Sequence, residues 1–176
     1  MDHLEIDRAV VAGCSVGGLI AQAVAVAHPG RVSGLILSNT AAKIGTAEMW
    51  ATRIAALHAG GIAAISGAIL ERWFAPAFLN SADSLPWQTM LLRCDLDGYI
   101  GTCEALAKAD LRTSVPTLRV PTLVLAGSED QATPLALVAE TVALIPGARL
   151  ETLIGSGHIP AIDAPKKTAD LILTFV

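Results

Sequence analysis

Two short apolar segments with a helical pattern between them define the fold class of this chain. Residues 8–13 contain the apolar run AVVA, residues 33–40 contain the apolar run LIL, and residues 16–27 carry the helical pattern. Runs without polar alternation are typical of strands buried on both faces of a parallel sheet. Two parallel strands joined through a helix make a right-handed crossover unit, so this segment predicts an α/β fold.

The same alternation returns in the C-terminal part of the chain. Strands are predicted at 120–127 and 148–154, and helices at 134–145 and 166–176. With the first two strands, this gives a parallel sheet of about four strands.

The region between the two alternating parts is helical. Apolar residues at helical spacing predict helices at 46–59, 61–74, 84–94 and 98–109. We therefore expect a division in which residues 1–42 and 114–176 form an α/β core and residues 43–113 form an inserted helical cap. Residues 2–7 are predicted to be the end of a helix.

Composition and charge exclude several classes of function. Hydrophobic residues make up 53% of the chain, but no run approaches the 18 consecutive apolar residues of a membrane span. The net charge of −4 offers no basic face for nucleic acid. The N-terminus is polar and unlike a signal peptide, so we expect a cytoplasmic protein. No metal site is expected, because the three cysteines are widely spaced and no two histidines form a ligand pair.

The turn after the first strand carries a Gly-x-Ser-x-Gly motif. The sequence GCSVG at residues 13–17 lies between a predicted strand and a predicted helix, as a nucleophile elbow requires. Such a turn strains the serine backbone, and glycine is expected on both sides to avoid collisions with strand and helix. Ser15 is therefore the candidate nucleophile, and the Val16 N–H at the helix start is the candidate oxyanion donor. The Cys14 side chain is expected to point away from it, into the core.

A serine hydroxyl needs a base to become a nucleophile. His158 is the only histidine in a loop directly after a predicted strand, at the same end of the sheet as Ser15. Asp130 follows the preceding strand and is the candidate acid that fixes the imidazole tautomer. All three lie beyond the C-terminal ends of strands, where parallel α/β sheets bind their ligands. Glu129 and Asp163 remain alternative acids.

Four segments, in this order and spacing, resemble the α/β-hydrolase superfamily with a helical cap: GCSVGG, HPGRVSGLILSNTA, TLVLAGSEDQATP and GSGHIPAIDAP. Two further stretches, SNTAAKIGTAEMW and ILERWFAP, resemble 3-oxoadipate enol-lactonases of the protocatechuate branch of the β-ketoadipate pathway, which degrades aromatic compounds. The resemblance covers essentially all 176 residues. It implies the C-terminal portion of the α/β-hydrolase fold.

The resemblance implies hydrolysis of a five-membered enol-lactone ring without a metal or organic cofactor. Ser15 would attack the ring carbonyl, His158 would act as base and then as acid, and Asp130 would orient His158. The small-molecule substrate carries a carboxylate, so a cation is expected near the pocket.

Lys43 is the first candidate for this cation, with Arg53 and Arg72 as weaker ones. Trp50 and Trp73 are candidates either for packing within the cap or for contact with substrate.

Members of the family carry a segment before the point where this chain starts. It supplies the first four strands and the loop with a second oxyanion N–H. The strand before Ser15 is therefore expected to be an exposed edge, which invites pairing with another chain. Three interpretations stay open: part of a longer enzyme, a sheet completed by a second chain or a dimer partner, or a non-catalytic α/β module that binds a small acid or another protein.

Other enzymes on the same scaffold are alternatives to the lactonase. Carboxylesterases, C–C bond hydrolases and haloperoxidases share the serine, whereas dehalogenases with an aspartate nucleophile do not. Ser15 excludes the dehalogenases.

Overall fold

The computed structural model describes all 176 residues, and its sheet is parallel throughout. Four strands pair in chain order: β1 (Ala9–Cys14), β2 (Val32–Ser38), β3 (Thr122–Gly127) and β4 (Arg149–Leu153). Every residue of β3 is buried, as expected for an apolar run with layers on both faces. The predicted parallel sheet of about four strands is confirmed.

Helices connect and cover the strands. They are α1 (Val16–Ala27), α2 (Ala47–Trp73), α3 (Pro76–Leu79), α4 (Leu85–Leu92), α5 (Leu96–Lys108), α6 (Leu135–Leu144), α7 (Pro160–Asp163) and α8 (Pro165–Leu173). Short 3₁₀ turns lie at Asp2–Leu4, Ala82–Ser84 and Val115–Thr117. The chain before β1 therefore holds a single 3₁₀ turn, where the sequence predicts the end of a helix. α7 lies inside the segment predicted as a loop.

The chain between β2 and β3 contains no strand and forms a helical layer from α2 to α5. α2 covers both helices predicted there, and its backbone leaves the helical conformation at Gly61, where φ is 65° and ψ is −171°, so the predicted boundary between the two helices is confirmed. Length and composition alone would let α2 cross a membrane, since its most apolar stretch of 18 residues has a mean hydropathy of 1.5. Its residues Trp50, Leu57 and Ile69 are instead buried in a cluster with apolar residues of α4 and α5.

β1 is one edge of the sheet, because its single hydrogen-bonded neighbour is β2. Val10 on this strand is 38% exposed and Ile20 on the adjacent α1 is 60% exposed. An apolar groove of about 170 Å³ runs between α1 and the end of α5, lined by Val16, Leu19, Ile20, Ala23, Ala105, Leu106, Ala109 and Leu111.

Candidate active site

Ser15 occupies the turn between β1 and α1 in a conformation that residues with side chains rarely adopt. Its φ is 54° and its ψ is −121°. The turn is held by four hydrogen bonds: the Ser15 N–H donates to Ser38 O (3.0 Å), and the Ser15 carbonyl accepts from Thr40 Oγ1 (2.7 Å) and from the N–H groups of Gly18 (2.9 Å) and Leu19 (3.2 Å). Such strain costs about 1–3 kcal/mol and persists where surrounding contacts over-determine it.

The glycines that the turn requires are not the two that the motif suggests. A Cβ on Gly13 would lie 2.1 Å from the carbonyl oxygen of Gly17, and a Cβ on Gly18 would lie 2.4 Å from Thr40 Cγ2. A Cβ on Gly17 would meet no atom within 4 Å. The expectation that both flanking residues must be glycine is therefore wrong for Gly17, because the tight contact with β2 falls one residue later.

Val16 is the first residue of α1, and it lies in the lining of the same cavity as Ser15. N–H groups in the first turn of a helix have no acceptor within that helix. The Val16 N–H therefore has no acceptor within α1, and its role as an oxyanion donor stays a prediction.

Asp130 and His158 are in direct contact. Asp130 Oδ2 lies 2.9 Å from His158 Nδ1, and both side chains are almost fully buried. Burial by itself raises the pKa of Asp130, but hydrogen bonds from His158, Asn39 and Thr133 outweigh it and hold this pKa below its ordinary value. The carboxylate is thus ionised at neutral pH and accepts from the imidazole Nδ1–H, which leaves Nε2 free to accept a proton.

Four further donors fix the Asp130 carboxylate. Oδ1 accepts from the backbone N–H groups of Ala132 (2.7 Å) and Thr133 (3.0 Å). Oδ2 accepts from Thr133 Oγ1 (2.7 Å) and from Asn39 Nδ2 (2.8 Å). The sequence argument did not assign a role to Asn39 or Thr133, although Asn39 is a polar residue at the C-terminal end of a strand.

The two alternative acids do not contact His158. Asp163 accepts from Ser156 Oγ and from the Gly157 N–H (2.7 Å), so it holds the loop that precedes the histidine. Glu129 is exposed and accepts from Ser128 Oγ (3.1 Å). Asp130 is the carboxylate that the fold brings to His158.

The C-terminal end of α2 ties the helical layer to both loops. The carbonyl of Trp73 accepts from the His158 N–H at 2.6 Å, and the carbonyl of Arg72 accepts from the Gln131 N–H at 3.3 Å. A Cβ on Gly157 would lie 2.3 Å from the Trp73 carbonyl oxygen, which explains a glycine at that position.

A cavity of about 280 Å³ contains Ser15 and His158 in its lining. No hydrogen bond joins the Ser15 hydroxyl to His158 in this structure, which is common before substrate binds. Trp50 and Trp73 also line the cavity, and Trp50 is anchored by its indole N–H to the carbonyl of Ile44 at 2.7 Å. Eleven of the 18 lining residues are hydrophobic.

The Cys14 thiol does not take part in this lining. Its Sγ lies 3.5 Å from the backbone carbonyl oxygen of His158. Burial, followed by the negative charge of Asp130, raises the pKa of the Cys14 thiol to about 11. The thiol is therefore protonated at neutral pH and is a poor nucleophile.

Lys43 lies outside the cavity, contrary to the expectation for the substrate-binding cation. Its Nζ is 3.4 Å from Asp110 Oδ2, and the residue lines a separate outer groove. Asp110 is 67 positions away in the sequence and follows α5, so this pairing depends on tertiary structure.

The cations in the cavity are Arg53 and Arg72. Neither has a carboxylate within 4 Å. Arg53 lies 5.3 Å from the centre of the Trp50 ring, a cation–π contact. The Arg72 guanidinium donates to the carbonyls of Gln131 (3.2 Å) and Ala132 (3.5 Å). Burial and the nearby charge of Arg53 lower the pKa of Arg72 from its ordinary value. The site thus contains two guanidinium groups that form no salt bridge with a protein carboxylate, although the charge of Asp130 acts on Arg72 from a greater distance.

Comparison with known proteins agrees with this geometry. A model described as the alpha/beta hydrolase family matches residues 1–171. Two curated relatives are 3-oxoadipate enol-lactonases 2 and 1 of Acinetobacter baylyi, which are 35% and 33% identical over 168 and 178 residues. The alignments cover 94% and 100% of this chain, but 62% and 66% of the relatives, so the chain spans less than two thirds of their length.

A solved structure has the same fold. The crystal structure of the enol-lactonase from Burkholderia xenovorans LB400 is 35% identical and superposes with a TM-score of 0.91. The superposition covers 99% of this chain and 68% of that chain. The elements described above are therefore arranged as in that protein.

Proposed function

Because the chain belongs to the alpha/beta hydrolase family, we propose that it hydrolyses a carboxylic ester or lactone with Ser15 as nucleophile. The observation that carries the proposal is the buried Asp130–His158 pair, at 2.9 Å, whose histidine lines the same cavity as the strained Ser15. Under this proposal Ser15 is the nucleophile, His158 the base and Asp130 the acid of a serine–histidine–aspartate triad.

The geometry supports the following steps. Ser15 Oγ attacks the carbonyl carbon and gives its proton to His158 Nε2, while Asp130 stabilises the imidazolium. The Val16 N–H donates a hydrogen bond to the carbonyl oxygen, on which negative charge develops. The carbon–oxygen bond of the ester or ring then breaks, and His158 returns the proton to the leaving oxygen. Water, activated by His158, hydrolyses the acyl-enzyme and releases the acid.

We further propose an enol-lactone that carries a carboxylate, of the 3-oxoadipate enol-lactone class, as substrate. The enol-lactonase relatives support this choice, and so do the two guanidinium groups without a carboxylate partner in a mostly apolar cavity. The apolar lining suits the ring, with Trp50 and Trp73 as contacts. On ring opening, the leaving oxygen is an enol that isomerises to a ketone, which makes the cleavage irreversible in practice.

The first test is covalent labelling of the purified chain by a fluorophosphonate, followed by intact-mass measurement. A single adduct that is absent in Ser15→Ala would support an activated serine. No adduct on a folded wild-type chain would contradict the proposed hydrolase and favour a non-catalytic α/β module.

Steady-state turnover separates the lactonase from an esterase on the same scaffold. Under the proposal, a carboxylated enol-lactone is hydrolysed with a higher kcat/KM than a neutral aryl ester. The reverse order would favour a carboxylesterase.

A further inference from the structure

Asn39 joins the loop of the acid to the loop of the histidine. It stands directly after β2, it is fully buried, and its φ of 47° lies in the left-handed region. Its Nδ2 donates to Asp130 Oδ2 at 2.8 Å and to the carbonyl of Gly157 at 3.1 Å. Its Oδ1 accepts from Ser38 Oγ at 3.0 Å, which orients the amide.

We propose that Asn39 is a positioning residue for the hydrolysis, which sets the distance between Asp130 and His158 and keeps the carboxylate in its ionised form. This inference rests on the proposed function. The residue acts through Asp130 and the Gly157–His158 peptide, and it does not line the substrate cavity.

An amide suits this position better than the other polar side chains. A side-chain NH₂ has two N–H donors, so it can serve the carboxylate and the Gly157 carbonyl at once. An aspartate there would place a second carboxylate at hydrogen-bond distance from Asp130. Two carboxylates this close cannot both ionise without mutual repulsion. A protonated aspartate has one O–H and would leave the Gly157 carbonyl or the Asp130 carboxylate without this donor.

The local charges determine how the pH profile responds. Around the pair lie Arg72 and Cys14, both electrostatically coupled to Asp130, and Asp163, which holds the loop before His158. These three groups are the same in the wild-type chain and in the Asn39 variants. The negative charge that Asn39→Asp adds beside Asp130 favours a positively charged neighbour, so the acidic limb of the pH profile is expected to move to higher pH.

Asn39→Asp and Asn39→Gly are the informative variants. Aspartate and glycine both tolerate the left-handed backbone, so neither change forces the turn to refold. The control is Gln22→Met, since Gln22 is another fully buried amide whose Nε2 donates to the carbonyls of Gly18 (3.0 Å) and Ala41 (3.5 Å), away from Asp130 and His158.

The measurement is the second-order rate constant of fluorophosphonate labelling of Ser15 as a function of pH, with the downfield proton resonance of the His158–Asp130 hydrogen bond as a second readout. Both Asn39 variants are expected to label about 10- to 100-fold more slowly at neutral pH. In Asn39→Asp the acidic limb should move to higher pH. The resonance should shift or broaden in both variants and stay in place in Gln22→Met.

Labelling of both variants within about threefold of wild type, with an unchanged acidic limb, would overturn the inference. Equal slowing in the Asn39 and Gln22 variants, without a change of the limb or the resonance, would also overturn it, since that pattern is a general loss of stability. Failure of the wild-type chain to label would instead contradict the proposed function.

Discussion

Arg53 provides the sharpest test of how the site recognises its substrate. Its guanidinium borders a mostly apolar cavity, contacts the Trp50 ring at 5.3 Å and has no carboxylate within 4 Å. A hydrogen bond to a charged group contributes about 1.5–3 kcal/mol. At 1.36 kcal/mol for each factor of ten, Arg53→Met should lower kcat/KM for a carboxylated lactone about 10- to 150-fold.

The loss should fall mainly on KM, because the remote carboxylate keeps the same charge in the ground state and in the transition state. The assay is steady-state kinetics with a carboxylated lactone and with a neutral aryl ester of similar size. Arg53→Met should leave the neutral ester almost unaffected. Lys43→Met removes a cation that is paired with Asp110 outside the cavity, and it is the matched control.

Two results would refute this reasoning. One is an equal loss on both substrates, which would mean that Arg53 supports the cavity wall through its contact with Trp50 rather than binding a carboxylate. The other is a raised KM in Lys43→Met with a normal KM in Arg53→Met. That pattern would show that the substrate enters from the outer groove and that the cavity charges play no part.

Four further predictions concern stability and association. Gly17→Ala should raise the free energy of unfolding by about 0.5–1 kcal/mol, whereas Gly13→Ala should prevent formation of the turn, as chemical denaturation of both variants would show. Ser15→Gly should be about 1–3 kcal/mol more stable than Ser15→Ala because glycine relieves the strain at φ 54°, and equal stability would contradict the strained turn. Because the pKa of Asp130 is lower in the folded than in the unfolded chain, the ionised carboxylate stabilises the fold above pH about 3.9, and this stability is lost as the pH falls through the lower native pKa. The free energy of unfolding in urea, measured between pH 7 and pH 3, should therefore fall less with acid in Asp130→Asn than in wild type. If the β1 edge pairs with another copy, sedimentation should show concentration-dependent association that Val10→Lys reduces.

The sequence predicted the fold well wherever local patterns coincide with buried layers. The helix predicted at 16–27 has the same bounds in the structure, and each predicted strand agrees within two residues. These elements are apolar runs bounded by glycine, proline or polar turns, so their ends are marked locally. The non-helical backbone at Gly61 divides α2 where the sequence predicts a boundary between two helices, because a glycine pair interrupts the helical pattern there.

The candidate site was predictable where chemistry depends on position along a strand. Ser15, Asp130 and His158 each follow the C-terminal end of a strand, and parallel strands bring those ends to one edge of the sheet. The supporting contacts were not predictable in this way. The bond from Asn39 to Asp130 joins residues 91 positions apart, and its partner depends on the order of β2 and β3 in the sheet.

The contacts that hold the Asp130–His158 pair come from the ends of β2, β3 and β4 and from α2. The proposed oxyanion donor, the Val16 N–H, comes from a different part of the chain, the first turn of α1 after β1. Base strength and charge stabilisation therefore depend on separate parts of the fold. Removal of one oxyanion donor typically costs about 10²–10³ in kcat, whereas the reactivity of the serine depends on the base. A chain that labels with a fluorophosphonate but turns over esters about 10²–10³ more slowly than an enol-lactonase relative would have an activated serine and too little stabilisation of the oxyanion. A chain slow in both reactions would have no activated serine, although Asp130 and His158 lie 2.9 Å apart within it.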